Sequence, residues 1–528
     1  MLKTRCRDTH WQALVVVVLL LLSGCMVGPD FTRPPAKVSE IWLEASDERV
    51  KAGPAEYRNW WRVFEDPVLD RLISRAYEEN LSLKIAGVRV LEARAQLGIA
   101  AGGLFPQTQQ AFGSLQYNRV SERAPQALFN SNLNYRQSEI GLQAAWELDF
   151  WGKFRRAIES ADASLLATIA DYDNTLVSLT ADVANSYILI RTLEKRLDIA
   201  RQNVETQKEN LKIAEARFRY GTGSQLDVEQ AKTILNDTLA SIPVLETQLR
   251  QAQNALSVLL GLVPTDLADL LKGFSGIPVS PAQIVTGIPA DLLRRRPDIR
   301  SAEQQAATQC AQIGVAKAEL YPAFSLTGNF GFLSSDVGSF KLSDMFQWRS
   351  RTAQAGPSVQ WNILNYGRIT NNIRVQDARF EQLLIAYQKV VLKAQQEVED
   401  NLAAFLKAQD RAGFLAQSVE AAQKSLDLAV LQYRGGTKDF TTVLIAQQAL
   451  LNEQDNLAST LGNISSSLVG VYRALGGGWE VREGEDVVPL EIKEEMRKRT
   501  HWGKLLAPAS YLPTASEERG STLRLPDW

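Results

Sequence analysis

Two long stretches of the chain place an apolar residue at alternating steps of four and three positions, over 165–218 and 380–433. Only Ser186 and Gln207 are polar in the first series, and neither stretch contains a proline. A sustained apolar repeat of 3.5 residues predicts a coiled-coil seam. At about 1.5 Å per residue, a helix over 152–218 would be roughly 100 Å long. The sequence therefore predicts rods rather than compact domains.

The two stretches belong to an internal duplication with an offset of about 215 residues. Two copies of this size indicate a duplicated architectural unit and not a short-period solenoid. Length alone would suggest three or four globular domains for 528 residues. The duplication instead predicts two copies of one larger unit. The matched positions include Trp146 with Trp361, Gly152 with Gly367, Tyr172 with Tyr387, Gly221 with Gly436, Thr222 with Thr437 and Gly261 with Gly476.

Each copy has the same predicted order of elements: a helix, two strands, the long helix, a glycine-containing turn and a returning helix. Pro106 and Pro322 end the first helix of each copy and start an extended segment. Pro243 should interrupt and kink one returning helix. The predicted first helices are 66–102 and 297–320, the strands 107–119, 136–150, 323–333 and 352–365, and the returning helices 224–260 and 440–475.

The N-terminus is typical of a secretory signal. Lys3, Arg5 and Arg7 precede the apolar run 13–22, which is too short to span a membrane as a helix. Small residues lead directly to Cys25, an order that resembles a bacterial lipobox. That resemblance implies cleavage of residues 1–24 and a covalent diacylglycerol and acyl chain on Cys25. An ordinary signal with an incidental cysteine is the alternative.

The four predicted strands cannot close a membrane barrel alone, because open edges leave backbone groups unsatisfied in lipid. They must close by oligomerisation: a dimer would supply eight strands and a filled interior, a trimer twelve and a lumen. Aromatic residues at the strand–helix junctions predict an interfacial girdle, with ordinary core aromatics as the alternative. These aromatics are Phe105, Phe150, Trp151, Tyr321 and Tyr366.

Several motifs resemble the outer-membrane factor family, the TolC/OprM group, and specifically its NodT-like lipoprotein branch. They are the run Leu-Leu-Arg-Arg-Arg-Pro-Asp-Ile over 292–299, Ile-Gly-Val-Ala over 313–316, Tyr-Pro over 321–322 and Ala-Leu-Gly-Gly-Gly-Trp over 474–479. The resemblance implies a mixed fold: a homotrimer with a 12-stranded membrane β-barrel and an α-helical periplasmic tunnel. It also implies two partners, a periplasmic membrane-fusion adaptor and an inner-membrane pump of the resistance-nodulation-division (RND) type.

On this reading the chain divides at the repeat boundaries. After the signal peptide 1–24, residues 25–65 form a lipidated segment packed at the tunnel's equator. Repeat 1 covers 66–262, and a linker covers 263–296. Repeat 2 covers 297–476, and an equatorial segment and tail cover 477–528.

The family resemblance also implies roles for the helix turns. The turns at Gly221, Thr222, Gly436 and Thr437 would meet the adaptor, although the glycines could serve only to make the turn. Lys438 stands where the best-known gates have an arginine, and we predict that it pairs with Asp227 to hold the entrance shut. Positions where the family often has pore aspartates are not acidic here. The predicted gate residues are Asp227, Tyr433, Lys438, Thr442 and Ile445.

The composition argues against an enzyme. The chain has two histidines and three cysteines, and no nucleophile motif, paired carboxylates or phosphate loop stands out. A catalytic triad would depend on His501 alone, and no metal site or cofactor other than the lipid is expected. A net charge of −2 gives no reason to expect nucleic acid as a partner. The sequence therefore predicts a passive exit duct of a tripartite efflux system, with an envelope-tethering lipoprotein or a type I protein-secretion duct as alternatives.

Overall fold

A computed structural model describes residues 26–507, except 54–55, 124, 126–132, 288 and 292–294. The predicted signal peptide, Cys25, residues 292–294 of the arginine-rich motif and the end of the tail lie outside the described residues. No helix in the described ranges is both long and apolar enough to cross a membrane.

Two helical hairpins of equal size dominate the structure. Helix α3 (Lys153–Arg219) and helix α6 (Arg368–Arg434) each have 67 residues, and the returning helices α4 (Gln225–Leu259) and α7 (Phe440–Ala474) each have 35. Both long helices begin after a glycine in the left-handed region, with φ of 76° at Gly152 and 82° at Gly367. The predicted duplication of long helices is confirmed, but α4 continues through Pro243, so the predicted interruption there is wrong.

The helix predicted over 66–102 is wrong as a single element. The chain forms α1 (Pro67–Glu79) and α2 (Leu81–Gly102), separated by Asn80 in an extended conformation. The Asn80 side chain accepts a hydrogen bond from the backbone N–H of Leu83 and donates one to the carbonyl of Leu259 at the end of α4. The break therefore caps two helix ends at once. In repeat 2 the corresponding helix is α5 (Pro297–Ala318).

The four long strands form one antiparallel sheet in the order β2-β3-β5-β6, where β2 is Thr108–Arg119, β3 is Asn134–Leu148, β5 is Ala323–Ser335 and β6 is Arg351–Gln360. The fourth strand ends at Gln360 and not at 365, because its neighbour begins only at Ala323, after Pro322. Strands β2 and β6 lie at the two edges, and each has a single partner strand within the described chain. A separate parallel pair joins β1 (Val50–Ala52) to β4 (Ile284–Thr286).

The strand register separates an apolar from a polar face of the sheet. Leu142 pairs with Ala111 on one side and with Phe330 on the other, and Phe330 pairs with Ala353. One position along, Gln143 pairs with Gln110 and Asn329, and Asn329 with Gln354. The apolar face includes Leu115, Tyr117, Ile140, Ala144, Trp146, Leu326, Phe332, Ala355, Pro357 and Val359, and the polar face includes Ser114, Gln116, Gln137, Glu139, Ser325, Thr327, Thr352 and Ser358.

The main core lies midway along the long helices, where segments from both ends of the chain pack on α3. Trp60 stacks on Tyr472 with ring centroids 5.4 Å apart. The Tyr187 hydroxyl donates to buried Asp66 over 2.7 Å, and Asp66 also caps the start of α1. Asp173, fully buried on α3, bonds Arg300 of α5 and Arg482 of the C-terminal segment. Buried charges are tolerated only when paired in this way, so these contacts fix the segments to the helical body.

Candidate functional site

The two hairpin tips have the same backbone design. In the first, the N–H of Thr222 donates to the carbonyl of Arg217 over 2.8 Å, and in the second Thr437 donates to Gln432 over 3.0 Å. Gly221 and Gly436 have φ of 73° and 76°, which the left-handed end of a helix requires. These bonds form the Schellman motif, and both threonine hydroxyls bond the same carbonyls. Hydrogen bonds within each hairpin hold these turns, and the residues of both tips are exposed.

A hydrogen bond joins the two hairpins just inside the tips. The Tyr433 hydroxyl on α6 donates to Oδ2 of Asp227 on α4 over 3.0 Å. Ser224 fixes the acceptor, because its hydroxyl donates to the other oxygen of Asp227 and caps the backbone N–H of that residue. Burial, together with the bond to Asp227, raises the pKa of Tyr433 to about 12. The donor therefore keeps its proton across the physiological range.

Arg217 is a further contact between the hairpins, and the sequence did not single it out. Its guanidinium lies 4.6 Å from the ring centroid of Tyr433, and Nη2 donates to the carbonyl of Thr222 over 2.8 Å. A cation over an aromatic face contributes about 0.5–1 kcal/mol at an exposed site and more when desolvated. The sequence signal that could have identified Arg217 is a difference between the two repeats, because the equivalent position in repeat 2 is Gln432.

A small apolar cluster supports these polar contacts. Tyr433 is only 3% exposed and meets Phe440 edge-to-face at 5.2 Å. All four helices of the two hairpins contribute to the cluster, so the tips of one chain form a single packed unit. Its other members are Ala214, Val228, Ala231, Leu426, Ala429, Val443, Ala446 and Leu450.

The remaining predicted gate residues are exposed. Lys438 lies in the second tip, and within the part of the chain that the structure describes it forms no ion pair with Asp227. Within one chain the Asp227 carboxylate accepts from Tyr433 and Ser224, and a pairing of Lys438 with Asp227 of another copy stays a prediction. Thr442 is exposed, and Ile445 is 64% exposed.

The junction aromatics lie between the strands and the long helices. Trp151 stacks on Tyr321 with centroids 4.6 Å apart, and its indole N–H donates to the carbonyl of Pro322 over 2.9 Å. Phe150 meets Phe324 of the sheet edge-to-face at 5.1 Å. Tyr366 is 97% exposed, and Phe105 is also exposed. The ring pairs tie the two repeats together where the sheet meets the helices.

The N-terminal segment runs along this junction. The N–H of Val27 donates to the carbonyl of Trp151, and Arg156 bonds both Val27 and Asp30. The segment covers Cys310, whose thiol is 1% exposed and has a pKa raised to about 11 by burial. Cys310 is therefore an inert core residue.

Comparisons with known proteins point to one family. A family model described as "Outer membrane efflux protein" matches residues 72–262 and 288–477, which together span both repeats. Nodulation protein T of Rhizobium leguminosarum biovar viciae is 32% identical over 471 residues, covering 89% of this chain and 94% of that protein. The solvent efflux pump outer membrane protein SrpC of Pseudomonas putida is 32% identical over 483 residues, covering 90% and 99%.

A solved structure shows the same architecture. The outer-membrane channel OprN superposes with a TM-score of 0.79 at 32% identity, covering 86% of this chain and all of that one. The chain therefore has the fold of an outer-membrane channel.

Proposed function

The chain belongs to the outer membrane efflux protein family, and we propose that three copies of it close into one continuous duct. It is an outer-membrane channel component of efflux pumps and not an enzyme. The observation that carries the proposal is the sheet, which is open along both β2 and β6. Unpaired edges in lipid cost several kcal/mol per backbone group, so copies must pair edge to edge.

The two faces of the sheet favour a trimer over a dimer. A polar face with repeated glutamine, serine and threonine suits a water-filled lumen, and an apolar face suits lipid. Eight strands enclose an interior that side chains fill, whereas twelve leave room for a channel. Polar residues would then line the barrel, while the paired long helices would extend it through the periplasm.

Native mass spectrometry of the purified protein, followed by planar-bilayer recording, tests this assembly. We expect complexes of three chains that conduct ions once the gate opens. Monomers or dimers would contradict the trimer. A complete lack of conductance under every gating condition would favour the envelope-tethering alternative, and threading of an unfolded polypeptide would favour protein secretion.

We propose that the tips dock a periplasmic membrane-fusion adaptor connected to an inner-membrane RND-type pump. Thr222 and Thr437 are exposed at the end of each hairpin, and the neighbouring Gly221 and Gly436 keep the backbone accessible. A photo-crosslinking amino acid at either threonine should capture the adaptor in cells. The same amino acid at exposed Arg379, near the opposite end of α6, should not. Equal capture at both ends would contradict tip docking.

We propose that the entrance is held by two kinds of contact. Within each chain, the Tyr433–Asp227 bond and Arg217 hold the hairpins together. Between chains, Lys438 is free to meet an acidic group of the next copy, and Thr442 and Ile445 line the opening in place of acidic residues. An entrance without a carboxylate ring should select weakly for cations, which reversal potentials in a salt gradient would measure.

The lipid anchor and the cargo complete the proposal. We propose that Cys25 carries the diacylglycerol and acyl chain, and intact-mass analysis of the wild type and of Cys25→Ser tests this. The relatives named for solvent efflux make small apolar organic molecules the first cargo class to test. Deletion and complementation in a host with its own pump and adaptor should change tolerance to such a solvent, and unchanged tolerance would direct attention to other cargo.

A further inference from the structure

The strand register places three arginines at one end of the apolar face. In β2 and β3, Tyr117 pairs with Arg136, and Arg119 lies two residues beyond Tyr117 on the same face. In β6, Arg351 pairs with Phe332, which itself pairs with Ile140 of the apolar face. We call Arg119, Arg136 and Arg351 the arginine belt. All three lie at the strand ends farthest from the helices.

The spacing puts this belt at the level of lipid headgroups. Leu148, on the same face of β3, lies next to the helices, twelve residues from Arg136. At about 3.4 Å per residue and a tilt of about 40°, that separation corresponds to roughly 30 Å along the membrane normal. The hydrocarbon core of a bilayer is about as thick, so one end of the face meets one interface and the belt meets the other.

The belt is exposed and lacks acidic partners of its own. All three side chains are exposed, and none forms a salt bridge within the described ranges. Arg351 stacks over Trp348 at 4.6 Å and donates to its carbonyl, while Asp336 accepts only the backbone N–H of Arg136. Three exposed cations beside an apolar surface, none of them in an ion pair within the described residues, are therefore available to anions from outside the chain.

We propose that the arginine belt binds the phosphate groups of glycolipid headgroups in the leaflet at the far end of the strands. A guanidinium holds a phosphate through two parallel hydrogen bonds, and Trp348 beside it suits the interface between acyl chains and headgroups. In a trimer the belt would contain nine arginines around the barrel. The inference depends on the proposed orientation, with the helices in the periplasm and the far strand ends at the outer leaflet.

The test measures lipid binding to the purified full-length protein in detergent. The probes are bis-phosphorylated lipid A, its dephosphorylated form and inorganic phosphate alone. One variant combines Arg119→Gln, Arg136→Gln and Arg351→Gln. The control combines Arg250→Gln, Arg379→Gln and Arg411→Gln, which alter exposed arginines on the helices.

We expect the belt variant to bind bis-phosphorylated lipid A at least about tenfold more weakly than the wild type, and the control to bind it unchanged. The wild type should prefer the phosphorylated lipid over the dephosphorylated form by a similar factor. Equal affinity for both lipids, or for wild type and belt variant, would overturn the proposal. Binding of inorganic phosphate as tight as that of the lipid would overturn the assignment to a headgroup.

Two further arms keep the outcome decisive. If the belt variant does not assemble, the affinities of the wild type for phosphorylated and dephosphorylated lipid A still test the proposal, because equal affinities would contradict it. Channel conductance of the belt variant separates this inference from the proposed function. If the belt variant still conducts ions and binds lipid A as well as the wild type does, the lipid-binding proposal is wrong and the proposed channel function is unaffected.

Discussion

Removing the Tyr433 hydroxyl should loosen the closed entrance without damaging the tip. Tyr433→Phe keeps the ring that packs on Phe440 and under Arg217 and deletes only the donor to Asp227. A hydrogen bond to a charged acceptor contributes about 1.5–3 kcal/mol. Because Asp227 is half-exposed, we take about 1 kcal/mol for each chain. Three chains that open together would lose about 3 kcal/mol, which is roughly a hundredfold shift toward the open state.

The assay is single-channel recording of open probability in planar bilayers. Asp227→Asn should raise the open probability in the same direction, and the double variant should add little to either single change, since both remove one bond. Asp237→Asn is the control, because Asp237 is an exposed acid on the same helix. An open probability unchanged in Tyr433→Phe, or equally raised by Asp237→Asn, would refute the assignment of this bond to the gate.

Three further predictions follow from the contacts described. Asp173→Ala removes the carboxylate that pairs with buried Arg482 and half-buried Arg300, so it should cost about 3–5 kcal/mol and lower the melting temperature, whereas exposed Asp171→Ala should not. Equal melting temperatures would contradict this. Gly436→Ala places a side chain at φ 76° and should cost about 1 kcal/mol, seen as faster amide exchange at the second tip, while Gly435→Ala at φ −75° should leave exchange nearly unchanged. The pKa of Tyr433 is raised from 10 to about 12, so its protonated hydroxyl stabilises the closed tips fully below pH 10, and this stabilisation is lost as the pH rises through 12. Open probability should therefore increase between pH 10 and pH 12 in the wild type but not in Tyr433→Phe.

The periodicity of the sequence was sufficient to predict the long helices. A seam that repeats every 3.5 residues over 54 positions has no compact alternative, and α3 and α6 follow it from end to end. The helix break at Asn80 was not predicted from the sequence because the apolar pattern continues across it. Its signal was local: an asparagine three residues before Leu83, where a capping side chain stabilises a new helix.

The contacts between hairpins could not be predicted from periodicity. A seam identifies which side of a helix is covered, but it does not identify the helix that covers it. The family resemblance supplied Asp227 and Tyr433, yet it assigned the carboxylate to Lys438, and the hydroxyl of Tyr433 occupies it within the chain. Arg217 was missed because an arginine near an exposed turn is usually solvated, and only the folded tips bring a tyrosine ring beneath it.

Divergence between the two repeats explains why each chain has this link only once. At the offset of 215 residues, Tyr433 corresponds to Phe218 and Asp227 to Thr442, so the equivalent pair lacks both the hydroxyl and the carboxylate. Phe218 is 47% exposed, which is costly for a side chain left in water. An exact duplication would give a trimer six equal links around its entrance. The observed sequence gives three bonded contacts inside chains and leaves apolar side chains facing outward at the tips. Opening of the entrance therefore requires the two hairpins of each chain to separate where this bond joins them, and this is why the loss of one hydroxyl in each chain should favour the open state.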